Sequence, residues 1–145
     1  MFCRTSRAVL AAGWFATGLL LVSGCGGSRG PTTGRVLFDD GTPVQSGSIE
    51  FRERDSEDRF ASRIERDGAF TPTSTDGQTG LPPGDYDVVV VQIILTEDLA
   101  LAAHQHGGTV QRKYADYYTS GLRIQIEPDD TDPIEIVVAA TDDNE

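Results

Sequence analysis

The chain has little cysteine, and the folded part has none. Only Cys3 and Cys25 occur among the 145 residues, and both lie in the first 25. The remainder therefore cannot form a disulfide, which excludes the small disulfide-stapled folds of secreted proteins. A domain of about 120 residues can bury roughly two thirds of its unfolded surface, so it needs no such staple.

Positive charge is also scarce. Twelve Lys and Arg residues stand against 23 Asp and Glu, which gives a formal net charge of −11. If a segment containing Arg4 and Arg7 is removed, ten basic residues face the same 23 acids and the charge becomes −13. Such a chain is repelled by nucleic acid and anionic lipid, so we expect no nucleic-acid partner. The charge is compatible with solubility.

Long apolar runs are absent except for one at the N-terminus. Residues 8–22 are almost uninterruptedly apolar and follow Arg4 and Arg7. The run is about 15 residues long, short of the roughly 20 that a membrane-spanning helix needs. A basic start followed by a short apolar run predicts a secretion signal.

The signal ends at residues 21–25, Leu-Val-Ser-Gly-Cys. This ending resembles the lipobox of bacterial lipoproteins, which implies removal of residues 1–24 and acylation of Cys25, with palmitate among the usual chains. Each buried methylene contributes about 0.8 kcal/mol, so several acyl chains suffice for stable anchoring. The alternative is ordinary cleavage that leaves Cys25 free. Under the lipoprotein interpretation the protein is exported and membrane-anchored, and faces the periplasm or the cell surface.

Composition divides the rest into three parts. Residues 25–33 are rich in Gly, Ser, Thr and Pro and are typical of a flexible tether. Residues 34–140 have the pattern of one folded domain. Residues 141–145 form an acidic tail that we expect to fray.

The domain alternates apolar and polar residues over short runs separated by turn residues. This pattern predicts an all-β, antiparallel sandwich of seven strands, within a range of six to eight, with a barrel as the alternative. Asp67-Gly68 predicts a hairpin between the third and fourth strands, and residues 72–79 read as a loop. The predicted strands are 34–38, 47–54, 60–65, 69–71, 86–93, 122–127 and 133–139.

Residues 80–91 join a rigid turn to the most strand-like run of the chain. Pro82 and Pro83 fix the backbone, Gly84 permits the turn, and the following valines suit a strand. Because that run is apolar on both sides, we expect a central strand buried on both faces.

Residues 96–107 interrupt the β pattern. Thr96 suits a helix cap and Gly107 a helix end, so we expect a short helical insertion. His104 and His106 lie within it and are weak candidates for zinc or copper ligands. The alternative is that both imidazoles lie at the negative end of the helix, and we expect no metal or other cofactor.

Three tyrosines lie in the connector before the last two strands. Tyr114, Tyr117 and Tyr118 are candidates for a surface that contacts a sugar or a peptide, because aromatic side chains offer large rigid contacts. The alternative is that at least two of them pack into the core.

Several short motifs together resemble the carboxypeptidase regulatory-like domains. They include Gly-Arg-Val at 34–36, Gly-Thr-Pro-Val at 41–44 and Arg-Asp-Gly-Ala-Phe at 66–70. Further matches are Gly-Ser-Ile-Glu-Phe at 47–51, the run 80–88, Lys-Tyr at 113–114 and Thr-Ser-Gly-Leu at 119–122. The resemblance implies a transthyretin-like Greek-key sandwich and an accessory, adhesive or structural role.

Three functional hypotheses follow. The first is a lipid-anchored, non-enzymatic envelope module with an interaction or structural role, whose partner is an unknown envelope protein or glycan. The second is a carbohydrate or peptide binder. The third, a hydrolase, is disfavoured because Ser120 lacks a Gly-x-Ser-x-Gly context and the chain lacks the C-terminal Tyr-Arg-Gly-Ser of transthyretin-like hydrolases.

Overall fold

The computed structural model of the chain describes residues 30–92 and 108–141. These ranges contain two short helices, a 3₁₀ helix at Arg112–Ala115 and α1 at Tyr117–Ser120. In neither range is there a helix with the length and apolar character needed to cross a membrane. The strands of these ranges are β1 (Gly34–Phe38), β2 (Gly47–Glu53), β3 (Arg59–Ile64), β4 (Ala69–Phe70), β5 (Thr73–Ser74), β6 (Gly84–Val91), β7 (Leu122–Ile126) and β8 (Ile134–Val138).

The strands form two sheets. One has three strands in the order β4-β1-β8, and the other has five in the order β5-β3-β2-β6-β7. Their inner faces share one core cluster, in which the rings of Phe51 and Phe70 lie 5.6 Å apart across the two sheets. The described chain is therefore mostly β and two-layered, as the sequence predicts, and its eight strands fall within the predicted range.

Side-chain alternation explains how each sheet finds its inner face. In β2, Ile49 and Phe51 are fully buried while Glu50 and Arg52 lie on the outer face. In β8, Ile134, Ile136 and Val138 are buried in the same way. Each such side chain stabilises the fold by about 1.5 to 3 kcal/mol relative to exposure.

The prediction of a purely antiparallel arrangement is wrong for one pair. Strands β1 and β8 run parallel, with Gly34 opposite Ile134 and Phe38 opposite Val138. Only strands joined by a tight turn are forced to be antiparallel, and almost the whole domain separates these two. Alternation within each strand does not report which distant strand will pair with it.

The predicted hairpin at Asp67-Gly68 has the expected turn but a different partner. The Gly68 amide donates to the Glu65 carbonyl, and Gly68 has a φ of +80°, which favours glycine. However, β4 then pairs with β1, not β3, with Arg35 opposite Ala69. The turn therefore carries the chain from the five-stranded to the three-stranded sheet and places Phe70 in the shared core.

The predicted loop 72–79 contains the short strand β5. It pairs with β3 through Phe60 and Ser74, and a tight turn follows in which the Gly77 amide donates to the Ser74 carbonyl. Two-residue strands carry too little alternation to be read from sequence.

The run 80–91 behaves as predicted along most of its length. Leu81 is fully buried, and the Tyr86 hydroxyl donates to the Pro82 carbonyl at 2.7 Å, which ties the strand to its turn. Strand β6 is interior, although β2 occupies the middle of the sheet. Val89 is buried on the outer face, whereas Val91 is 37% exposed, so two-sided burial ends before Val91.

Packing begins before Gly34. Gly30 and Pro31 are buried, the Pro31 carbonyl accepts from the Leu81 amide, and a Cβ at Gly30 would collide with Leu81 and Ile126. The C-terminal part of the predicted tether 25–33 therefore belongs to the domain. Residues 1–29, the predicted helical insertion 96–107 and residues 142–145 of the acidic tail lie outside the described residues.

Candidate functional site

The outer face of the five-stranded sheet carries an unusual set of charges. Arg59 on β3 lies opposite Arg52 on β2, Arg52 lies opposite Asp87 on β6, and Asp87 lies opposite Arg123 on β7. These four residues form a line across four neighbouring strands, which we call the arginine row. Adjacent strands are about 4.8 Å apart, so the backbone positions of the row span about 14 Å.

Asp87 is the centre of this row. Its carboxylate lies 3.4 Å from Arg52, 3.3 Å from Arg123 and 3.8 Å from Arg54, the residue that follows β2. The Asp87 side chain is 19% exposed, whereas Arg54 and Arg123 are 47% and 68% exposed. One carboxylate thus gathers three guanidinium groups, and the excess positive charge faces solvent.

Glu50 holds the other end of the row. Its Oε1 accepts from Arg59 at 3.1 Å and from the Tyr117 hydroxyl at 2.7 Å. Burial, followed by this hydrogen bond to Glu50, raises the pKa of Tyr117, so its hydroxyl stays protonated at neutral pH. Tyr117 is therefore a hydrogen-bond donor and not a base.

Tyr117 also positions Arg52. The Arg52 guanidinium lies over the Tyr117 ring, 4.2 Å from its centroid, in a cation–π contact. This contact and the bond to Asp87 fix Arg52 from two directions, which reduces the entropy that it would lose on binding a ligand.

The short helix α1 brings Tyr117 to the sheet. Asp116 caps the helix by accepting from the Tyr118 amide at 2.7 Å, and Gly121 ends it with a φ of +65°. The buried Ser120 hydroxyl donates to the Val88 carbonyl at 2.5 Å. This bond pins the helix to β6 and sets where Tyr117 meets Glu50 and Arg52.

Two depressions adjoin the row. One, of about 190 Å³, is lined by Arg54, Asp85, Tyr86, Arg123, Ile124 and Gln125. The other, of about 380 Å³, lies beyond β3 and β5 and includes Arg59, Asp76 and Pro82 in its lining. Both are bordered by arginines of the row, and Tyr117 lies on the face between them, over Arg52 and against Glu50.

The three predicted tyrosines do not form one surface. Tyr114 is buried, and its hydroxyl accepts from the Ala139 amide at 3.1 Å. Tyr117 is half-buried against Glu50 and Arg52, and Tyr118 is 94% exposed. Only Tyr114 packs into the core, whereas the alternative expected at least two of the three tyrosines there, and a contact surface that includes Tyr117 and Tyr118 stays a hypothesis.

The other predicted site residues lie outside the described residues: Cys25, His104 and His106. Within 30–92 and 108–141, no group of three or more His, Cys, Asp or Glu side chains is placed to hold a metal ion.

The arginine row was not predicted from the sequence. Alternation does place Glu50 and Arg52 on one face of β2, and Asp85 and Asp87 on one face of β6. What was missing was the register between strands, which brings Arg59, Arg52 and Arg123 into line. The available signal is that an acidic chain places Arg52 and Arg123 on the polar sides of two predicted strands and Arg59 directly before a third.

No family model, curated protein or solved structure matches the chain. A fold alone does not specify a function, so the charges and shape of this face are what indicate one.

Proposed function

We propose that this protein is a lipid-anchored, non-enzymatic module of the bacterial cell envelope that acts by binding a partner. The observation that carries the binding role is the arginine row, a cationic patch on an acidic chain in which the Arg59 and Arg123 side chains are exposed. The lipobox-like residues 21–25 support the anchor at Cys25. The carboxypeptidase regulatory-like, transthyretin-like Greek-key fold belongs to the same proposal, and the two-layered β architecture supports it at a coarser level.

The burial of Gly30 gives the anchor a geometric consequence. Only residues 26–29 separate Cys25 from the buried Gly30, and a fully extended chain covers about 3.5 Å per residue. The folded domain would therefore stay within about 17 Å of its lipid. Gly30, where this segment joins the described domain, lies against Leu81 and Ile126.

The anchor is tested by mass spectrometry of the protein from its native membrane, beside a Cys25→Ser variant. We expect an acylated N-terminal Cys25 in the native protein and release of the variant from the membrane fraction. An unmodified Cys25, or cleavage elsewhere than after Gly24, would show that the anchoring proposal is wrong.

The binding role is tested separately by crosslinking the full-length protein in intact envelopes. We expect one partner to be recovered with the native protein and lost when Arg52 and Arg123 are both changed to Gln. Equal recovery with the double variant would contradict a role for this face.

A carbohydrate or peptide binder is the second candidate. Tyr118 favours it, because a tyrosine that is 94% exposed directly follows Tyr117 of the site. Exposed aromatic side chains offer contact area to ligands at low entropic cost.

A further inference from the structure

We infer that the arginine row binds a linear anionic polysaccharide, with Arg52, Arg59 and Arg123 contacting carboxylates spaced along it. This inference deepens the proposed function and rests on its claim that the domain is a binding module. It does not depend on acylation of Cys25.

The first support is unused hydrogen-bonding capacity. Each guanidinium has five N–H donors in a planar fork suited to carboxylates. Arg59 contacts Glu50, while Arg52 and Arg123 contact Asp87, and one carboxylate engages at most two donors of a fork. Arg59 and Arg123 have side chains 56% and 68% exposed, so their remaining donors face solvent.

The second support is the straight geometry of the row. Arg59 and Arg52 stand directly opposite each other on neighbouring strands, where like charges are destabilising. Glu50 beside Arg59 and Asp87 beside Arg52 each offset part of that repulsion, and a ligand carboxylate at the exposed Arg59 side chain would offset more of it. Because Arg123 lies three strands from Arg59, about 14 Å away along the row, a ligand with repeated charges fits better than a single small anion.

The third support concerns the class of polymer. Extended peptides bind sheets mainly by adding a strand at a free edge, where backbone groups are available. The row lies on a face, and β2 and β6 are paired on both sides, so a peptide lying across the row would gain no ladder hydrogen bonds from these two strands. A polysaccharide needs none, and the exposed ring of Tyr118 offers a surface for the apolar face of a sugar.

The acidic remainder of the chain limits the reach of this attraction. Asp85 borders the depression beside Arg54 and Arg123, and Asp58 precedes Arg59. At physiological ionic strength the screening length is about 8 Å, so a bound ligand interacts mainly with the groups it touches. We therefore expect recognition at short range, without long-range steering.

The test uses the full-length protein in neutral detergent micelles and isothermal titration calorimetry. The probes are a polygalacturonate oligomer and a fully methyl-esterified oligomer of the same length. We expect binding of the charged oligomer only, weakened about tenfold in an Arg59→Gln/Arg123→Gln variant, which corresponds to about 1.4 kcal/mol. Asp85→Asn, which removes a negative charge beside the row, should strengthen binding.

Arg35→Gln is the matched control. Arg35 is also an exposed, ion-paired strand arginine, with a side chain 61% exposed, but it lies on the three-stranded sheet. Its replacement should leave the affinity unchanged.

Two results would overturn the inference: equal affinity for both oligomers, or unchanged affinity in the double variant with its thermal unfolding midpoint retained. Equal binding of a polyglutamate peptide of matched charge would overturn the polysaccharide class. If these occur while envelope crosslinking still recovers a partner through Arg52 and Arg123, the proposed function stands and only the ligand is wrong. A Cys25→Ser variant should bind the oligomer as the native protein does.

Discussion

The two sheets present similar inner faces and different outer faces. Inside, both contribute aliphatic and aromatic side chains to one core. Outside, the five-stranded sheet gathers arginines around Asp87 and carries α1 with Tyr117 on top. Among the residues that the structure describes, the three-stranded sheet has one ion pair on its outer side, Arg35 with Asp67 at 3.4 Å, in which both side chains are 61% exposed.

This difference separates residues that specify the fold from residues that the fold does not need. The inner faces are explained by burial of apolar area, which both sheets require equally. The isolated pair of Arg35 and Asp67 is what an ordinary surface produces, and such pairs contribute little. Solubility does not require three arginines to gather around one half-buried aspartate. This local excess of positive charge is the reason to look for a ligand there.

The substitution with the largest expected effect on stability tests whether the inner faces of the two sheets form one core. Phe51→Ala removes a fully buried ring that meets Phe70 of the other sheet. We expect a loss of about 3 to 5 kcal/mol in the free energy of unfolding, with both sheets unfolding together. The measurement is chemical denaturation followed by circular dichroism. Val137→Ala, on the exposed face of β8, should change the same quantity by less than about 0.5 kcal/mol.

Two separate transitions in the Phe51→Ala variant would show that the sheets are independent. The two outer faces would then belong to two units that unfold separately.

Prediction from the sequence succeeded where a local pattern carries the information. Alternation placed Ile49 and Phe51 inside and Glu50 and Arg52 outside, and turn residues placed most strand ends within one or two residues. It failed where distant strands choose partners, as in the parallel pair β1 and β8 and the pairing of β4 with β1. The arginine row depends on such pairings, so it becomes visible only when the register is known.

The second prediction concerns the helix that covers only the five-stranded sheet. Ser120→Ala removes the buried bond to the Val88 carbonyl, which should cost about 1 to 2 kcal/mol because a buried polar group loses its partner. Hydrogen exchange should accelerate in β6 and β7 and remain unchanged in β1 and β8. Ser48→Ala, on the outer side of β2, serves as the control and should have little effect. Equal acceleration in both sheets would mean that α1 is part of the common core.

The third prediction sets the two outer ion networks against each other. Asp87→Asn removes the charge shared by Arg52, Arg54 and Arg123 and should lower the free energy of unfolding by about 1 kcal/mol, less at high salt. The equivalent change at the exposed pair, Asp67→Asn, should cost under about 0.5 kcal/mol. Thermal unfolding of both variants at low and high salt measures the difference. Equal losses of stability in the two variants would show that the ion pairs of the arginine row are no stronger than an ordinary surface pair.

The smallest predicted effect concerns two turn carboxylates, one beside each sheet, which we expect to behave alike. Asp40, in the turn after β1, accepts from the Thr42 hydroxyl and amide, which lower the pKa of its carboxyl below the usual 3.8. Glu53, at the end of β2, accepts from the Ser56 amide and then the Asp55 amide, which hold the pKa of its carboxyl below 4.5.

Because both pKa values are lowered in the folded state, each carboxylate stabilises the fold above its usual pKa, and this contribution is lost as pH falls through and below that value. The free energy of unfolding should therefore decline between pH 6 and pH 2, a range that extends about two units on either side of those pKa values. Asp40→Asn and Glu53→Gln should each make this decline smaller. Both turns should respond equally, since each uses a side-chain acceptor to close a solvent-exposed turn. A decline reduced by Glu53→Gln alone would show that the contrast between the sheets extends to their turns.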